Sequence, residues 1–501
     1  MMDIIKVSLL LLIFVVEIYK NIIIYQQNQY IIKRYIKTII RKNKLFSMAG
    51  VLSLIVIFII ENNIIAIMLL SIILFVTIVI EYNKHYKVKF KFTFRMKRFY
   101  ISTMLFILFI TTFVLKEYVG FLILFNSIVL VLMHYITMPI EIYIKKSFIN
   151  KARKKLASTN AVVVGITGSY GKTSSKNILY DILKKSKYTL PTPASFNTPM
   201  GISVTINNDL TPLHEVFIAE MGAYVIGEIK ENCDVVSPDI AIITSIGSAH
   251  LESFGSRENI LKGKFELVES LPKDGLAVLN ADDEVMMSYE IKNNCSILTY
   301  SIDNESDLKA YDVETSIEGL SFKFDCDGKT YCAKTRLLGK HNVYNILACI
   351  LVARYLEIPM DEIISSIKDV NVITHRLELR KSLDATIIDD AFNSNPVGAA
   401  EAANVLGQME GYKVAMTPGM IELGDDEYKL NKVFAKQLAS NADYVYIVGK
   451  KRSEPFVDAF TEMKFENYTI VSNVDEGFRK FFSIKKQDKI LLIENDLSDI
   501  Y

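Results

Sequence analysis

Gly168, Ser169, Tyr170, Gly171, Lys172, Thr173 and Ser174 bring two glycines, a lysine and three short hydroxyl side chains into one stretch of chain. Glycines so placed let a backbone curl until its N–H groups converge, and convergent N–H groups hold phosphate oxygens. Lys172 then neutralises β- and γ-phosphate charge and the Thr173 hydroxyl ligates magnesium, with Ser169 and Ser174 completing the loop. The chemistry implied is the binding of ATP with Mg2+. The spacing is a shortened form of the usual G-x-x-x-x-G-K-[ST] loop, because Ile166 stands where its first glycine would be.

Such a loop works where a strand delivers it and a helix offers the phosphates the positive end of its dipole. The run AVVVGIT (161–167) reads as that buried strand, and 168–183 as a turn entering a helix. Beyond it, β-branched runs alternate with amphipathic segments, the pattern of a parallel sheet with crossover helices. The runs VAMTPGMIELG (414–424), DYVYIVGK (443–450), YTIV (468–471) and KILLIEN (489–495) add a second sheet of the same kind. No G-x-G-x-x-G string accompanies them, so no dinucleotide is implied.

The first third differs. Apolar stretches at 4–19, 46–60, 63–82, 99–115 and 120–138 each approach the length a helix needs to cross a bilayer, which predicts five spans. Lys20, Lys33, Arg34, Lys37, Arg41, Lys42 and Lys44 in one link, and Lys84, Lys87, Lys89, Lys91, Arg95, Lys97 and Arg98 in another, point to the cytoplasmic side. The short links at Glu61 and at Lys116 and Glu117 then face outward. The fold class expected is an α-helical transmembrane region followed by α/β, with a P-loop central ATPase domain and a Rossmann-like C-terminal domain. The boundaries expected are 1–140 for the transmembrane region, 141–158 for a basic linker, 159–370 for the central domain and 371–501 for the last. The location expected is the cytoplasmic membrane, multi-pass, with catalytic domains in the cytoplasm and membrane lipid as a partner. A net charge of +1 argues against a nucleic-acid partner. Five cysteines without a CxxC pair read as reduced core thiols.

Several ordered strings go further. GITGSYGKTSSK (165–176), FNTPMGISVTI (196–206), VFIAEMGA (216–223), ITSIGSAHLESFGSRENILKGKFEL (243–267) and GKHNVYNILACILVA (339–353) together resemble the Mur ligase family, over roughly residues 160–450. Within it, the likeness is greatest to members that add a D-alanyl-D-alanine dipeptide. The resemblance implies an ATP-dependent amide ligase that works through an acyl phosphate in cell-envelope precursor synthesis. It takes a carboxylate-bearing precursor as donor and an amino acid or dipeptide as acceptor. It implies roles for further residues: Glu220 and His250 as metal ligands, and Lys264 as a carbamylated lysine that turns an ammonium into a further metal ligand, with Lys262 its near neighbour. Asn342 and Asn345 would lie on the adenine side, although Asn also suits a helix cap. Arg376 would reach the phosphates when domains close, Asp390 would lie near the ribose and Asn393 near the phosphates. Asp389 is expected to face solvent.

Two departures bear on substrate. Apolar segments occupy the place of the family's UDP-sugar-gripping domain, and LLIENDLSDIY stands where dipeptide adders carry a KGSR-like stretch. An amide ligase for another envelope polymer, poly-γ-glutamate-like, is therefore the near alternative. A transporter driven by a phosphate-loop ATPase and a silent scaffold are more distant ones; the spans carry almost no internal charge for a substrate path.

Overall fold

The computed structural model describes residues 2–28, 30–41, 44–84, 90–113, 119–247, 249–382, 385–392, 394–421 and 423–495. Lys42, Lys87, Lys89, Lys116, Glu117 and Asn393, each singled out above, lie outside the described residues. The chain divides into two compact units, Met1–Lys146 with the last residues 497–501, and Ser147–Asp496.

In the first unit, local caps cut the apolar sequence into helices. Ser47 Oγ accepts the Gly50 N–H at 3.2 Å and starts the helix Met48–Ile59; Asn62 Oδ1 accepts from Ile64 and Ile65 and starts Asn63–Tyr82. Among the described residues, three helices rather than the expected five are long and apolar enough to cross a membrane: Met2–Gln27, Asn63–Tyr82 and Asn126–Ala157. The stretch 46–60 yields a helix of 12 residues. The described part of the stretch 99–115 falls in Phe94–Phe113, whose first turns carry Arg95, Lys97 and Arg98. Nor is 20–45 a plain link: the first helix runs to Gln27, and Ile32–Arg41 buries Tyr35 and Ile39 on one face. The interior also holds a carboxylate that hydropathy hides. Glu17 is buried, accepting from Lys20 Nζ at 2.6 Å and Ser47 Oγ at 2.9 Å.

The second unit contains two sheets. The strands of the first are β1 (Val162–Thr167), β2 (Thr189–Pro191), β3 (Val216–Glu220), β4 (Ile240–Ile243), β5 (Leu276–Asn280), β6 (Ser296–Ser301), β7 (Leu308–Ser316), β8 (Gly319–Cys326) and β9 (Lys329–Thr335). Their order is β2-β3-β1-β4-β5-β6-β7-β8-β9, parallel through β7 and antiparallel in the closing hairpins. Strands β3, β4 and β5 are buried at every position, as a sheet covered on both faces requires. One face packs Ile178, Leu179 and Ile182 of the helix Lys172–Leu183 and Ile346, Leu347 and Ile350 of His341–Tyr355. The other packs Ile202, Ile229 and Phe265 from three further helices.

The second sheet has the order β10-β11-β15-β12-β13-β14, from β10 (Glu378–Lys381), β11 (Ala385–Asp390), β12 (Tyr412–Thr417), β13 (Tyr444–Val448), β14 (Tyr468–Val471) and β15 (Lys489–Glu494). It is parallel apart from the edge strand β10. Its larger core joins Ile388 and Leu492 to Leu406, Phe434 and Phe456. Both sheets end their parallel strands in loops, and the carboxyl ends of parallel strands are where ligands gather in such folds.

Candidate functional site

The glycine loop leaves β1 exactly where the chain must turn sharply. Gly168 has φ +148° and Gly171 φ +82°, and a Cβ on Gly168 would stand 2.1 Å from Thr244 Oγ1. Ser169 N–H donates to Ser245 O at 2.8 Å and Tyr170 N–H to Ser245 Oγ at 3.0 Å, so the end of β4 braces the loop. Gly171 precedes the first turn of Lys172–Leu183 with no side chain capping it, which leaves that helix's leading N–H groups for a ligand.

Lys172 folds back over the loop, donating from Nζ to Gly168 O at 2.6 Å and Ser169 O at 3.2 Å. Burial pushes its ammonium down to about 8; Glu220 opposes the fall and Arg376 adds to it. A folded-state value below the ordinary 10.5 means that Lys172 gives up its charge as pH rises through about 8. Between there and the ordinary value the unfolded chain holds the extra proton, so the stability of nucleotide-free protein rises with pH across that window. Phosphate binding should do the reverse. Without added magnesium, affinity for a fluorescent ADP analogue is expected to weaken about fivefold between pH ~8 and pH ~9, and a flat profile would contradict it.

Thr173 Oγ1 donates to Glu220 Oε2 at 3.0 Å. Glu220 ends β3, is 2% exposed, and is held further by Lys176 Nζ at 3.0 Å and Asn197 Nδ2 at 3.3 Å. Lys176 was not anticipated. It sits one turn beyond Lys172 on the same helix, and a lysine is rarely fully buried, yet it is 1% exposed.

Lys264 is 2% exposed in the helix Arg257–Glu269. Its Nζ lies 5.7 Å over the Phe254 ring, and among the described residues no salt bridge reaches it. Burial, then the nearby Lys172 charge, hold it well below the usual lysine range, against the pull of Glu228 and Glu266. Lys262, two residues before it, is exposed. His250 has a left-handed backbone, φ +60°, at the start of Leu251–Phe254, and its ring lies 4.3 Å from Tyr224 in the loop that follows Glu220.

Asn342 and Asn345 are not caps. Asn345 Oδ1 accepts from Ser175 Oγ at 3.0 Å, its Nδ2 donates to Asn342 Oδ1 at 3.0 Å, and Asn342 Nδ2 donates to Leu338 O at 2.7 Å. The pair braces the glycine loop from behind: a Cβ on Gly171 would meet Asn345 Oδ1 at 2.7 Å. His341, beside them, escaped notice in sequence. Its Nδ1 is buried with no partner among the described residues, and burial, then the charge of Arg376, push it down to about 4.

Arg376 arrives on the segment joining the two sheets. Asn371 anchors that segment, donating from backbone and side chain to Asp181 Oδ2 at 2.9 and 3.0 Å. A cavity of about 520 Å3 lies between, lined among others by Thr173, Asn177, Ser195, His375, Arg376 and Phe392. The Arg376 guanidinium stacks 4.8 Å over Phe392 and is attracted by Asp390, Glu220 and Glu494. Asp389, expected in solvent, is 4% exposed: its Oδ2 pairs with His375 Nδ1 at 2.8 Å and Arg380 at 3.0 Å. The turn before β10 covers it, a contact no strand pattern encodes. Asp390 accepts the Leu377 N–H at 3.2 Å. Thr173 is thus bonded to Glu220 and lines one cavity with Arg376, the charges of Glu220 and Arg376 act on Lys172 and that of Lys172 on Lys264, and His250 packs on the loop that follows Glu220.

Residues 166–353 match the Mur ligase middle domain and 375–494 the Mur ligase, glutamate ligase domain. A UDP-N-acetylmuramoyl-tripeptide–D-alanyl-D-alanine ligase of Buchnera aphidicola subsp. Baizongia pistaciae is 32% identical over 300 residues, 59% of this chain; the chain spans 65% of that relative's length. An enzyme of the same name from Buchnera aphidicola subsp. Acyrthosiphon pisum is 30% identical, covering 68% of this chain and 74% of its own. The crystal structure of MurF ligase from Thermotoga maritima in complex with ADP superposes with a TM-score of 0.63 at 26% identity, over 70% of this chain and 80% of that one. These relatives correct the expected location: they are soluble cytoplasmic enzymes, and against them the multi-pass assignment rests on candidate apolar helices alone. With both domain models matched in order around one glycine loop and one bridging arginine, the chain belongs to the Mur ligase family.

Proposed function

We propose that this chain is an ATP-dependent ligase that activates a carboxylate as an acyl phosphate and passes the acyl group to an amine. The observation that carries the reading is the cavity that Arg376, arriving from beyond the first sheet, shares with Thr173 in the first turn of the helix after the glycine loop. Two cations and a helix N-terminus aimed at one place are what a polyanionic triphosphate requires when an anionic carboxylate must approach it. The working division is an apolar helical region at 1–140, a linker at 141–158, a P-loop central domain at 159–370 and a Rossmann-like domain at 371–501. The relatives' names supply the substrates proposed: UDP-N-acetylmuramoyl-tripeptide as the acid and D-alanyl-D-alanine as the amine, in peptidoglycan precursor synthesis.

In this reading the backbone of Gly168–Thr173 cradles the phosphates, with Asn342 and Asn345 on the adenine side. Lys172 and Arg376 neutralise the phosphoryl group in flight. A donor carboxylate oxygen bonds to the γ-phosphorus as the bond to the β-phosphate oxygen breaks, releasing ADP. The amine then attacks the acyl carbon, loses its proton, and displaces phosphate. Oxygen donors suit magnesium, and Thr173, Glu220 and a carbamate on Lys264 would supply them, with the ring nitrogen of His250 as a further, less suited ligand. Magnesium, when bound, spreads the charge of the triphosphate. Lys264 fits the modification because a buried amine depleted of its proton is the form that adds to carbon dioxide, losing one proton to give the carbamate.

Purified full-length protein with ATP, magnesium and both substrates is expected to release ADP only when acid and amine are present together. Release indifferent to both would overturn the proposal.

A further inference from the structure

Behind Arg376 lies a pair of acids that the phosphate chemistry leaves unused. Asp390 ends β11 and Glu494 ends β15, and the register sets them side by side on adjacent parallel strands. Glu494 is 0% exposed. Ser394 Oγ donates to its Oε1, whereas its Oε2 is buried and has no donor among the described residues. A buried carboxylate oxygen with nothing donating to it is costly, and two acids at facing register positions on adjacent buried strand ends do not both ionise. One shared proton satisfies both.

The surrounding charges agree. Arg376 is the cation that faces the pair, Asp389 adds a further anion along β11, and Ser394 is the neutral donor. One guanidinium against two carboxyls bearing one proton leaves the trio neutral. Burial, then the neighbouring Asp390 charge, hold Glu494 well above the carboxylate range. Burial likewise raises Asp390, against the pull of Arg376.

The pair has a mechanical connection to the site. His375 and Leu377, which flank Arg376, both have left-handed backbones, φ +60° and +49°, unfavourable for side chains of their size. Asp390 takes the Leu377 N–H, and Asp389 takes the His375 ring. Two adjacent acids at the end of β11 therefore clamp the strained turn on either side of the arginine.

We propose that Glu494 is a positioning residue that shares one proton with Asp390, and that this half-neutralised pair fixes the turn from which Arg376 reaches the triphosphate. Without the shared proton, two full anions would draw the guanidinium back toward the sheet. The role of Arg376 in this inference rests on the ligase reading; the shared proton does not.

The test uses full-length protein and two variants. An infrared difference spectrum, wild type minus Glu494→Gln, is expected to show the carbonyl stretch of a protonated carboxylic acid, and to keep it at pH ~8, far above ordinary carboxylate titration. A difference spectrum without that band overturns the inference whether or not the protein forms ADP. In the ADP-release assay, Glu494→Gln, which still donates to Asp390, is expected to keep kcat within about threefold, and Glu494→Ala to lose about tenfold or more with little change in KM for the amine. Equal behaviour of the two variants overturns it. A wild type that shows the band and forms no ADP would instead count against the ligase reading.

Discussion

Lys172→Met is expected to lower kcat/KM for ADP formation by about a thousandfold while leaving the fold intact. The side chain makes its contacts inside the glycine loop, to Gly168 O and Ser169 O, and packs no core. Its charge is poorly solvated, since burial drives the ammonium toward neutrality. Methionine of similar length therefore removes a local strain in the resting state and an essential cation in the reacting one. Thermal unfolding should shift little or rise, because a desolvated charge is replaced by an apolar chain. Steady-state kinetics beside calorimetry checks both halves; a variant with near-normal turnover would remove Lys172 from the chemistry.

Glu220→Ala is expected to cost stability as well as activity. Glu220 and Lys176 are each almost fully buried, and removing one partner of a buried pair strands the other charge, at a cost of about 3–5 kcal/mol. The double variant Glu220→Ala with Lys176→Met takes away the stranded ammonium, so denaturation should recover most of that loss. Activity should not recover, because Thr173 loses its acceptor and the site its carboxylate. Urea unfolding of the two single variants and the double variant yields the coupling directly. Additive losses would mean that the ion pair is a bystander.

The parts of this architecture that sequence discloses are those written in adjacent residues. The glycine loop is legible because strand, turn, lysine and helix follow without interruption in 161–183, and the β-branched runs of both sheets are equally local. Long-range burial is not. Lys176 is of a residue type rarely buried, and only the return of β3 beside its helix creates the pair with Glu220. Asp389 looked exposed because it stands at a strand end, whereas His375 and Arg380 close over it from the preceding turn and edge strand. Glu494 ends an apolar run near the chain terminus, and its partner is set by strand register across more than a hundred residues of sequence. In the first unit, hydropathy found apolar stretches but not their ends, because Ser47 and Asn62 cap helices inside a nearly continuous apolar run.

Acid activation through phosphate is the claim on which the rest depends. The direct measurement supplies full-length protein with ATP, magnesium, D-alanyl-D-alanine and UDP-N-acetylmuramoyl-tripeptide whose terminal carboxylate carries heavy oxygen, and weighs the phosphate released. An acyl phosphate requires one heavy oxygen to leave with that phosphate as the amide forms. Amide product accompanied by unlabelled phosphate would contradict the account.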